Sequence, residues 1–154
     1  MFPDYIIENF ISILNNKNSA HATAKELNYD SECDNNFLQD LQVLEMQGLV
    51  QILKSIDNNP QVLLTFKGAY YGREYINNYY KIYDDVVDLI KPDSLKTTHE
   101  IMKILGVHHI IIGAIFIDLS EQGLITYEQG LGGLTLEFSK EGEKYFKTWQ
   151  NITW

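Results

Sequence analysis

The heptapeptide LEMQGLV, Leu44 to Val50, returns as LSEQGLI at Leu119 to Ile125, an offset of 75 in the numbering. A repeat of that period restricts the fold more than any composition can, because each copy has to be a supersecondary unit with a face to bury. The match runs upstream as well. Phe37, Leu41 and Leu44 step by four and three along one helical face, and their counterparts are Ile112, Phe116 and Leu119. Downstream, LTFKGAYY (Leu64 to Tyr71) corresponds to FSKEGEKY (Phe138 to Tyr145) at an offset of 74, so the second copy has lost one residue in between.

Each copy reads as three helices, a hairpin and a closing helix. In the first, FPDYIIENFISIL places Ile6, Ile7, Phe10, Ile11 and Leu14 at helical spacing, and SAHATAKEL opens a second helix with Ser19 as its N-cap. A third helix spans about Glu32 to Gln47 and stops at Gly48, a residue free to take the positive φ of a C-terminal cap. LVQILK and QVLLTF are short apolar strands around the turn IDNNP. In the second copy TTHE, Thr97 to Glu100, is a capping-box pattern opening the helix of Ile101, Ile104 and Leu105. GLITYE and LTLEF there flank the turn QGLGG.

These residues carry a resemblance. An apolar third helix ending in glycine, a Leu-Val or Leu-Ile pair, a hairpin, and then LTFKGAYY or FSKEGEKYF resembles the winged helix-turn-helix, the last element being similar to the entry into the final helix of PadR-like and MarR-like regulators. Gly48, Gly68, Gly123 and Gly142 stand at the junctions of that pattern. The resemblance implies a mainly α chain with small β-hairpins (α+β) and two tandem winged-helix domains, residues 1–80 and 81–154, sharing or joined by a long central helix. That helix is expected over about residues 67–91, where Tyr71, Tyr75, Tyr79, Ile82, Val86 and Leu89 form one apolar line. Ile76, Tyr80, Tyr83, Val87 and Ile90 form a second about 100° away.

Charge bears on what such a fold recognises. The chain holds 21 acidic and 12 basic residues, a net charge of −9. Duplex DNA is held largely by Lys and Arg replacing counterions at phosphates, so a DNA reader this acidic needs a local basic patch. The third helix of the first copy offers Asn35, Gln39 and Gln42 as candidate base contacts, and its wing offers Lys54, but acidic neighbours surround them. The equivalent helix of the second copy, within GVHHIIIGAIFIDLSEQGLI, has no Lys or Arg and is apolar almost all round. With Ile112, Phe116 and Leu119 turned inward, Ile110, Gly113, Ala114 and Ile117 form a strip expected at a protein interface, most simply a homodimer.

Little points to catalysis. The single cysteine, Cys33, leaves no disulfide framework, and His108 and His109 point about 100° apart on a helix, poorly placed to share a metal. No phosphate loop, nucleophile elbow or dinucleotide fingerprint occurs, so no catalytic, cofactor or metal residue is assigned. No membrane span or leader stands out, which suits a cytoplasmic protein. The expectation is a non-enzymatic interaction or regulatory module acting through the apolar third helix of the second copy. A winged-helix transcriptional regulator is the alternative, and an acidic DNA mimic that occupies another protein's nucleic-acid groove is a third.

Overall fold

A computed structural model describes residues 4–53, 59–90, 97–130 and 133–152. The chain divides into two compact units, Met1–Asn77 and Asn78–Trp154. It is mainly helical, with small antiparallel hairpins, and so belongs to the α+β class. Among the described residues no helix is long and apolar enough to cross a membrane.

Unit 1 begins with α1 (Asp4–Lys17), whose Ile6, Ile7, Phe10, Ile11 and Leu14 are buried at the spacing of one helical face. Strand β1 (His21–Thr23) and the short α2 (Ala24–Leu27) follow. Here the structure corrects the expected N-cap. Ser19 bonds only to the backbone of His21, and the cap is Thr23, whose side chain accepts from the Glu26 amide while Glu26 reaches back to the Thr23 amide. The residues before it are spent on strand pairing, with Ala22 opposite Val62. α3 (Asn35–Met46) starts three residues later than expected, because Tyr29 and Asp30 take positive φ and Asp34 supplies the cap to the Phe37 amide at 2.8 Å. Strands β2 (Val50–Ile52) and β3 (Gln61–Leu64) form the hairpin, in a sheet of order β1-β3-β2, and α4 (Phe66–Tyr71) closes the unit. Phe10, Leu27, Phe37, Leu41, Leu44 and Val62 fill the core.

Unit 2 repeats the order with one strand fewer: α5 (Tyr79–Leu89), α6 (Thr98–Leu105), α7 (His109–Glu121), β4 (Ile125–Gly130), β5 (Gly133–Phe138) and α8 (Lys140–Ile152). The capping box at Thr97 and Glu100 forms as its sequence suggests. A single bridge from Thr97 to Thr135 stands where unit 1 has β1. Next to it the buried Thr98 hydroxyl accepts from the Leu134 amide at 3.1 Å, tying the start of α6 to the hairpin. The hairpin runs in register from Ile125 opposite Phe138 to Gly130 opposite Gly133.

One junction is built twice. The amides of Leu49 and Leu124 close the ends of α3 and α7 on Leu44 and Leu119. The carbonyls of Leu49 and Leu124 then receive the Thr65 and Ser139 amides, at 3.2 and 3.1 Å. The Thr65 and Ser139 hydroxyls each donate to a glycine carbonyl, Gly48 at 2.7 Å and Gly123 at 2.6 Å. Each hydroxyl also accepts from a later glycine amide, Gly68 or Gly142, at 2.9 Å. Gly68 and Gly142 lie so close to the Leu49 and Leu124 carbonyl oxygens that neither site has room for a Cβ.

The expected central helix is not continuous. α4 ends at Gly72, a 3-10 turn covers Arg73–Tyr75, and Asn78 takes a left-handed φ of 59° before α5 begins. Two sets of contacts from α1 cause the break. Gly72 is pressed against Ile7 and Ile11 of α1, and Asn15 clasps the break, donating to the Tyr75 carbonyl at 2.9 Å and accepting from the Asn77 amide at 3.1 Å. The tyrosine line therefore does not exist as one stripe: Tyr71 and Tyr75 belong to unit 1, Tyr79 to unit 2.

Candidate functional site

α3 shows unit 1's open face. Its inward side chains Phe37, Leu41 and Leu44 are buried, which turns Asn35, Gln39 and Gln42 outward, all exposed as a base-reading role would require. Its carboxylates are engaged: Asp40 accepts from the Tyr5 hydroxyl at 2.9 Å, and Glu45 accepts from the Ile52 amide at 2.6 Å. Burial first, and then that bond to Asp40, push the Tyr5 phenol up to about 12. The helix carries no Lys or Arg. Of unit 1's cations, Arg73 stacks over Tyr70 at 4.3 Å and donates to its carbonyl, and Lys17 pairs with Glu26 at 3.7 Å. Lys67 is exposed beside Gly48, and Lys54 lies outside the described residues. At the C-terminal end of the same face Val43 is 39% exposed and Met46 85%, an apolar pair one turn apart that the sequence reading passed over. Their signal was present: they fall outside the 37, 41, 44 line, so a helix that buries that line leaves them outside.

α7 occupies the same place in unit 2 with the opposite surface. Ile110, Gly113, Ala114 and Ile117 all lie below the surface, with 6% of Ile110 and 7% of Ile117 left exposed. Within its own unit α7 is packed by α5, α6, β4 and β5. Two hydrogen bonds fix α5 along it, Tyr79 to Asp118 at 2.8 Å and Gln122 to Tyr83 at 2.9 Å. With the two copies aligned, the exposed Asn35, Asn36, Gln39 and Gln42 correspond to the buried Ile110, Ile111, Ala114 and Ile117.

No family model matches the chain, and no curated protein matches it either.

Of the remaining reactive groups, His108 and His109 stack at 4.7 Å with 21° between their planes. Burial lowers the pKa of both, as does a neighbouring imidazole: His109 for His108, and His99 for His109. No group of three or more His, Cys, Asp or Glu side chains among the described residues is placed to hold a metal ion. Cys33 is half-buried with its thiol pushed up, by burial first and Asp34 second, which keeps it protonated and weakly nucleophilic. A shallow cleft of about 240 Å³ is lined by Asp4, Ile7, Tyr71, Glu74 and Tyr75. There the Tyr71 hydroxyl donates to Asp4 at 2.6 Å, and that bond raises the phenol's pKa.

Proposed function

We propose that this chain is a tandem winged-helix protein that acts by binding another protein, without catalysis of its own. The fold part of the reading rests on the element order, a helix and a helix pair followed by a hairpin and a closing helix in both units, and on the doubled Thr65 and Ser139 junction. The observation that carries the functional part is the composition of the two helices where such a fold would read a duplex. α3 is open but has no cation, and α7 has neither a cation nor an open polar face. Phosphate contact supplies most of the affinity of DNA readers, and it needs what these helices lack.

The buried state of Ile110, Ala114 and Ile117 favours a partner on α3 over one on α7. Val43 and Met46 give α3 an apolar anchor flanked by the uncharged Gln39 and Gln42, a surface suited to a protein segment. Methionine on an open face adapts to the shape of what it meets. The transcriptional-regulator reading keeps one point in its favour, since Asn35, Gln39 and Gln42 are exposed and amide side chains pair with adenine edges. Tagged full-length protein, purified from its native cell beside Met46→Asp and Gln42→Ala variants, tests both. Loss of a protein partner with Met46→Asp alone is the expected result. Recovery of DNA fragments whose enrichment falls with Gln42→Ala would overturn it.

A further inference from the structure

We propose that His108 is a proton-sensitive latch on α7: neutral, it caps the helix, and protonated, it releases the first turn. The geometry sets the tautomer. His108 occupies the N-cap position, and its Nδ1 accepts a hydrogen bond from the Ile110 amide at 3.1 Å. An imidazole can accept there only while Nδ1 is unprotonated, whereas imidazolium has a donor on both nitrogens and no acceptor. One proton thus turns the capping bond into a clash of two donors. The same proton places a positive charge at the amino end of a 13-residue helix, against its dipole, and 4.7 Å from a second imidazole.

The surroundings reinforce this. On α7 itself the titratable group facing His108 is His109; from α6, His99 bears on His109. Among the described residues no charged side chain of α5, β4 or β5 contributes to the balance at His108. Half-burial disfavours the charged form further. Ahead of the cap, Gly106 takes a left-handed φ of 66° with nothing packed where a Cβ would stand, so the turn has room to open.

A folded-state pKa below the ordinary histidine value means that the unfolded or unlatched chain binds the proton more readily. The latch is therefore closed above that ordinary value, and it loosens as pH falls through it towards the folded pKa. Amide exchange at Ile110 to Gly113 in the full chain, followed by NMR from about pH 7.5 to 5 and corrected for intrinsic rates, reads this directly. Opening should increase by up to about tenfold per pH unit as pH falls from the ordinary histidine value towards the folded pKa, which the His108 ring resonance marks, and level off below it. His108→Asn, which caps without titrating, should remove the acid response. Opening that stays flat between the ordinary histidine value and the lower pH at which the His108 ring titrates overturns the proposal. So does an equal response in His108→Asn; should that variant fail to fold, the wild-type exchange and ring titration still decide.

Discussion

Gly68 and Gly142 show how far a single missing atom can determine a fold. Each lets a closing helix start directly on the carbonyl of the residue just before a hairpin, Leu49 or Leu124. Alanine at either position has to push backbone apart, so Gly68→Ala and Gly142→Ala should each destabilise their unit by about 1–3 kcal/mol, read as a lower urea midpoint. Ile117 makes a complementary case. Its counterpart Gln42 is exposed, whereas Ile117 has 7% of its surface left. Ile117→Glu then forfeits the burial of an isoleucine and strands a carboxylate among apolar groups, a loss on the order of 3 kcal/mol or more. Gln42→Glu should change stability by less than about 0.5 kcal/mol. Equal melting shifts in the two variants would mean that Ile117 is not packed as the structure has it.

Whole helices were legible where local rules and burial agreed. α1 and the Thr97 capping box follow from apolar spacing and a Thr-x-x-Glu pattern, which act within one or two turns of chain. The break between α4 and α5 was not legible, because the tyrosine spacing continues through it as though the helix were whole. What ends the helix is remote in sequence: Ile7 and Ile11 crowd Gly72, and Asn15 holds Tyr75 and Asn77. β1 was missed for the same reason, since His21–Thr23 becomes a strand only by pairing with β3, which follows it in the chain only after two helices and another strand. Of the candidate site, the lack of cations could be read in advance, and so could the exposure of Met46, which lies off the buried 37, 41, 44 line; the burial of Ile110, Ala114 and Ile117 could not, because it depends on what the rest of the chain packs against α7. Asn15→Ala should cost only about 0.5–1.5 kcal/mol, because both bonds lie at the exposed surface where water takes over the freed backbone groups, with helix content by circular dichroism little changed. A large loss of helical signal would mean that Asn15 supports far more than the break.

Taken as a whole, the molecule carries its charge deficit in both halves. Unit 1 contains 5 basic and 10 acidic side chains and unit 2 contains 7 and 11, so neither offers phosphates a net positive surface. Binding to a random duplex, followed by fluorescence anisotropy at low salt, should be weaker than about 10 μM and have a shallow salt slope. Submicromolar affinity with a steep slope would favour the regulator reading instead. The doubled junction also bears on ancestry. If the two halves descend from one duplicated segment, the positions that stayed alike are those where geometry leaves no choice, a hydroxyl at 65 and 139 and a glycine three positions later. The outward positions drifted until Gln42 faced Ile117 across the alignment. Distant kin of this chain would then be recognised less by their hydrophobic residues, which many sequences share, than by that hydroxyl-and-glycine signature recurring once in each half.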